Sequence, residues 1–159
     1  MKLISVLLGV ILLSQTLGQA PANDRKYIVL PRESSAITAA PFSEAVLAGD
    51  TLYVAGHVGL DPKTGKPGVT AEEEARLAMD SVKHTIEAAG MAMDDLVSVQ
   101  VFCSDVTFYG DFNNVYRTYF HGNFPARAFV GSGKLLLGAR YEVMGIAVKR
   151  DGAGVHLVK

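Results

Sequence analysis

Residues 70–90 read TAEEEARLAMDSVKHTIEAAG, and this stretch decides what the rest of the chain must form around it. Thr70 with Glu73 three residues on makes a capping box, and Ala71, Ala75, Ala78, Val82 and Ile86 follow at helical spacing until Gly90 ends the run. A helix with one apolar stripe needs an apolar surface to bury it. Toward the N-terminus, KYIVLP (26–31), EAVLAGD (44–50) and TLYVAGHVGL (51–60) read as short strands, and Gly49-Asp50 is a hairpin signal between the last two. Two prolines and two glycines make DPKTGKPG (61–68) a loop. Toward the C-terminus, LVSVQVF (96–102) is a strand and FYGDFNNVYRTYF (108–120) a second amphipathic helix; ARAFVG (126–131) and RYEVMGIAV (140–148) are strands. The order β-β-β-α-β-α-β-β predicts an α+β fold, a two-layer sandwich of a mixed sheet with both helices on one face. That leaves the other face bare. Because the strands carry apolar residues at positions of both parities, self-association is the expected cover.

The ends of the chain read differently. MKLISVLLGVILLSQTLGQA (1–20) has one lysine, an apolar run and small residues at Gly18 and Ala20, the pattern of a secretory signal peptide cleaved near Ala20. Its apolar core, Leu3 to Leu13, falls short of the roughly 20 residues that a membrane-spanning helix needs. The expectation is an exported protein, periplasmic or secreted, with no membrane association after cleavage. A polar link (21–26), one domain (27–150) and a loose tail, DGAGVHLVK (151–159), complete the organisation. Losing Lys2 takes the 15 basic residues to 14, against 16 acidic, which gives no electrostatic footprint for nucleic acid. Cys103 is the single cysteine, so no intrachain disulfide forms, and its place in LVSVQVFCSD predicts a buried, inert thiol.

Several chemistries drop out. The histidines, at 57, 84, 121 and 156, have no mutual ligand spacing, so no metal site is expected. Gly131-Ser132-Gly133 lacks the flanking order of a serine nucleophile, and Gly133-Lys134 is followed by leucine rather than the Ser or Thr of a phosphate loop. His57, in VAGHVG, is a pocket candidate but fits a structural strand-end histidine better. Two charges remain. Arg127 sits in GNFPARAFV (122–130), one guanidinium in apolar company, and Glu142 lies in RYEVMGIAV with Met144 and Ile146 on its own face. From the residues alone they are a buried ion pair across neighbouring strands, or two edge charges, or a carboxylate-binding arginine beside a carboxylate that orients water.

APFSEAVLAGDTLYVAGHVGLDPKTG (40–65), the helix after it, VFCSDVTFYGDFNNVYRTYF (101–120), FPARAF (124–129) and YEVMGIAVKR (141–150) resemble, in order, the RidA/YjgF family of enamine/imine deaminases. The likeness runs from about residue 27 to 150. It implies a chorismate-mutase-like fold and a homotrimer whose sheets face a central barrel, with three clefts between subunits. It implies hydrolysis of 2-imino and enamine acids to 2-keto acids and ammonia, with no cofactor. By the same resemblance, Arg127 clamps the substrate carboxylate and Glu142 positions the attacking water. Gly56 brings its backbone to the ligand, and Asn113 is a pocket asparagine on the second helix. Phe42 stands where many members have tyrosine, Phe129 where the deaminase subgroup has cysteine, and Met144 where a second glutamate occurs. The two phenylalanines imply apolar walls that favour an aliphatic or aromatic substrate side chain. The alternative of another class is a non-catalytic trimer that binds small carboxylates or a partner with the same surfaces.

Overall fold

The computed structural model describes residues 25–30 and 40–150. The expected leader 1–20, residues 21–24 of the expected link and the tail 151–159 lie outside the described residues. The chain forms strands β1 (Arg25–Ile28), β2 (Ala45–Ala48) and β3 (Thr51–Val58), helix α1 (Ala71–Ala88), strand β4 (Leu96–Cys103), helix α2 (Tyr109–Tyr116), and strands β5 (Ala126–Gly131) and β6 (Tyr141–Val148). The expected element order is observed. The first strand starts at Arg25, two residues inside the stretch assigned to the link, and the second helix tightens into a 3-10 turn over Arg117–Tyr119.

Local chemistry sets these boundaries. Thr70 caps α1 by accepting from the Glu73 amide at 3.1 Å, while the Glu73 carboxylate takes the Val69 amide at 2.8 Å, one residue before the position a strict capping box uses. At the other end Gly90 donates to Glu87 O and Met91 to Ile86 O, a Schellman closure that packs Met91 near Ile86. The β2–β3 hairpin turns through Gly49-Asp50, with Gly49 at φ 59°.

One six-stranded mixed sheet runs in the order β1-β2-β3-β6-β4-β5, with β4 and β5 its parallel pair and the other neighbours antiparallel. Leu52, Val54, Val99, Val101, Tyr141, Val143 and Ala147 point to the helical side. There they meet Ala75, Ala78, Met79, Val82 and Ile86 of α1 and Phe112 and Val115 of α2. Cys103 is buried in this layer, its thiol bonded to Asp105 O at 3.0 Å and its pKa pushed up by burial, as expected of an inert cysteine. The opposite face carries a row of Tyr27, Val46, Tyr53, Ile146 and Ser98, of which Tyr27 and Tyr53 are exposed. It is the bare apolar face that the strand pattern predicts.

A buried carboxylate ties the layers together. Glu74, in the first turn of α1 and fully buried, accepts hydrogen bonds from the backbone amides of Arg140 and Tyr141, the latter at 3.1 Å, and pairs with the Arg140 guanidinium at 2.6 Å. Arg140 in turn donates to Gly68 O and Val69 O. Replacing one member of such a network leaves the others desolvated and unpaired. Glu74→Gln is therefore expected to cost about 3 kcal/mol in urea unfolding; a loss below about 1 kcal/mol would contradict the network's role.

Candidate active site

Strand parity divides the expected site residues into two groups. On β5, Arg127 pairs with Val99 and Phe129 with Val101, both core positions, so Arg127 and Phe129 face the helices. On β6, Glu142 pairs with Phe102 on one side and Val58 on the other, and it faces the open side. Strand β4 also lies between β5 and β6. The ion pair across neighbouring strands is therefore not formed, and within one chain the arginine is not beside the glutamate. A sheet places alternate residues on opposite faces, and no side chain reaches through it.

Arg127 sits in an aromatic cradle. Its Nη2 donates to Asn113 Oδ1 at 2.7 Å, and its Cζ lies 4.5 Å from the centre of the Tyr116 ring. The rings of Tyr109, Phe112 and Phe129 stand at 5.8, 5.9 and 5.8 Å from the same carbon. Cation–π attraction from several faces holds the guanidinium plane without neutralising it. Among the described residues, no carboxylate pairs with Arg127. Asn113 is buried on α2, whose Tyr109, Asn113 and Tyr116 line an open cavity of about 420 Å³ together with Arg117, Phe124, Pro125 and Arg127, and no lining side chain is acidic. Hydrogen bonding by Asn113, then the Arg127 charge, lower the Tyr109 phenol from its usual range. Phe129, expected as an apolar wall, packs edge-on against Tyr109 at 4.9 Å but is not among the residues that line the cavity.

The second group lies across the sheet. A β-bulge in β3 between Val54 and His57 places Gly56 directly against the Glu142 carboxylate: a Cβ added at Gly56 would lie 2.1 Å from Glu142 Oε1. Among the described residues, no hydrogen bond or ion pair engages that carboxylate, which lies half-buried in a row with Val58, Phe102 and Val130. Phe42 is exposed and does not line the Arg127 cavity. His57 belongs to neither group: it is buried, bonds Ser81 Oγ through Nδ1 at 2.8 Å and lies 3.7 Å from Glu44, which bears out its structural reading. No group of His, Cys, Asp and Glu among the described residues is arranged to hold a metal ion.

Tyr109 and Tyr116 were not candidates from the sequence. Their signal was present in the spacing, since 109, 113 and 116 recur on one helix face and Asn113 interrupts its apolar stripe.

On this α+β sandwich one cleft holds a guanidinium that, among the described residues, has no carboxylate partner, and the opposite face holds a carboxylate over a glycine. The chain belongs to the endoribonuclease L-PSP (YjgF/RidA) family, whose profile matches residues 33–149. It is 39% identical over 127 residues to the rat 2-iminobutanoate/2-iminopropanoate deaminase, covering 79% of this chain and 90% of the relative. The Escherichia coli YjgF gene product superimposes with a TM-score of 0.72 at 30% identity, over 79% of this chain and 99% of that one. E. coli TdcF with bound serine gives 0.71 at 26% identity, over 79% and 100%.

Gly56→Ala isolates the second half of the site. The atoms a methyl would meet belong to the far end of a flexible side chain, so the loss of stability is expected to stay near 1 kcal/mol or below while the Glu142 carboxylate is turned away. A crystal structure of the variant checks this, and an unmoved carboxylate would contradict it.

Proposed function

We propose that this protein is a hydrolytic deaminase that converts reactive 2-imino and enamine acids to 2-keto acids and ammonia, without a cofactor, as an exported homotrimer with its sites between subunits. The observation that carries the reading is Arg127, a fixed guanidinium held by Asn113 and aromatic rings with no carboxylate among the described residues to neutralise it. An arginine fork takes a carboxylate through two parallel hydrogen bonds. The relatives named as imine deaminases and the relative with bound serine support a ligand of amino-acid size.

Glu142 supplies the other function, from a second copy. The open sheet face, with Tyr27, Tyr53, Ile146 and Val148 on it, supports burial against further copies, and such packing brings the Glu142 face of one subunit to the cavity edge of the next. With the carboxylate anchored on Arg127, the imine carbon is presented to a water held by Glu142. The water oxygen bonds to that carbon as its proton passes to Glu142, and the C=N electron pair moves to nitrogen. Glu142 returns that proton to the nitrogen; in the tetrahedral intermediate the hydroxyl proton then passes to the amine as the C–N bond breaks, so that ammonia leaves and the keto group forms. An imine is already electrophilic, so orientation and one base supply most of what the step needs.

The N-terminal segment, 1–20, is the support for export, and imines made outside the cytoplasm by an amino-acid oxidase are a fitting source. The near balance of 15 basic and 16 acidic residues offers no footprint for an RNA backbone.

The test generates 2-imino acids in situ with an amino-acid oxidase, in the presence of semicarbazide as a trap. The protein is expected to suppress trapping. Arg127→Ala should lower kcat/KM about 100-fold with assembly intact, and Glu142→Gln should lower kcat by about 100-fold or more while ligand affinity stays. Trapping unchanged for aliphatic and aromatic imines, with 2-keto acids still bound, would replace the enzyme by a binding module.

A further inference from the structure

The Tyr116 hydroxyl is the one buried side-chain oxygen or nitrogen among the described residues that lacks a hydrogen-bond partner. The residue is 4% exposed, in the last turn of α2. Its ring packs against three others: Phe112 at 5.7 Å, Phe120 at 4.8 Å and Phe124 at 6.2 Å. A phenylalanine would make the same ring contacts without leaving a polar group dry, so packing explains the ring and not the oxygen. Burial pushes the phenol up to about 12, against the pull of the nearby Arg127 charge, so at neutral pH the group is an intact O–H donor.

The position of that donor supplies the missing reason. Tyr116 lines the same cavity as Arg127, and the guanidinium carbon stands 4.5 Å above its ring centre. The hydroxyl itself is covered in the free protein, so a carboxylate on the guanidinium fork meets it through a small shift of the surrounding rings at the cavity wall. One guanidinium nitrogen is already committed to Asn113, at 2.7 Å, which leaves the remaining donors for a ligand. We propose that Tyr116 is a second arm of the carboxylate clamp, its hydroxyl donating to the ligand carboxylate that Arg127 anchors. The ligand is thereby selected as a planar carboxylate with an oxygen that faces α2. The inference rests on Arg127 being a carboxylate anchor; it does not depend on turnover. An oxygen kept unpaired in the free protein is a cost in stability retained for binding.

Tyr116→Phe removes the oxygen alone, and the measurements are the Kd for 2-oxobutanoate by calorimetry and the urea midpoint. Affinity is expected to fall about tenfold, while the midpoint stays or rises. Affinity for the corresponding neutral 2-oxo amide should not change between wild type and variant. Tyr119→Phe is the control, because its hydroxyl bonds Asp80 at 2.6 Å and it does not line the cavity: its midpoint should fall and its affinity stay. Wild-type affinity in Tyr116→Phe, with a raised midpoint, would overturn the proposal and leave a core tyrosine. A wild type that binds 2-oxobutanoate no better than Arg127→Ala would remove the anchor and this inference with it. Binding without deamination would count against the proposed reaction only.

Discussion

The structure hangs on a carboxylate that never meets water. Glu74 is fully buried in the first turn of α1, and its two oxygens collect the Arg140 and Tyr141 amides and the Arg140 guanidinium. Two glycines make room for it: a Cβ at Gly59 would lie 2.1 Å from Glu74 O, and one at Gly68 would lie 2.5 Å from Glu74 N. The helix is thereby seated on the loop after β3 and on the entry to β6. Two consequences reach the site. Glu142 follows directly on Tyr141, so its place over Gly56 is set by this anchor. The Tyr141 hydroxyl also donates to Phe108 O at 3.0 Å, fixing the start of α2, the helix that carries Tyr109, Asn113 and Tyr116. One buried charge thus aligns both halves of the candidate site.

Sheet parity then keeps those halves apart. Arg127 is in register with Val99 on the helical side, and Glu142 is in register with Phe102 on the open side. A single chain thus presents the Arg127 cleft and the Glu142 carboxylate on opposite faces of the sheet. On the proposed account the apolar open face both requires company for its own burial and delivers the glutamate to the neighbour's arginine, so stability and catalysis depend on one contact. The aromatic cradle fits that arrangement, since Arg127 is held ready without being neutralised.

The sequence made much of this legible because its local signals agree. Thr70, Glu73 and Gly90 bracket α1, Gly49-Asp50 turns the hairpin, and the period-2 pattern of β6 correctly puts Glu142 with Met144 and Ile146. Arg127 and Asn113, two separate site candidates, are brought together by a hydrogen bond. What could not be read locally was register across strands, which decides faces and which sequence periodicity leaves open. For that reason the residues alone leave an Arg127–Glu142 ion pair across neighbouring strands open, and it is absent within one chain. Glu74 and Tyr116 were passed over for a related cause: each looks like an ordinary helix position until the groups opposite it are known, two waiting amides in one case and none in the other.

The measurement that bears most directly on a divided site is subunit complementation. Arg127→Ala and Glu142→Gln chains, each inactive alone, are co-refolded in equal amounts, and mixed trimers are confirmed by native mass spectrometry before imine turnover is assayed. If Arg127 of one copy works with Glu142 of another, about a quarter of the clefts regain both residues and activity returns to about a quarter of wild type. No recovery in confirmed mixed trimers would contradict the account, because it would place both residues' contributions within a single chain.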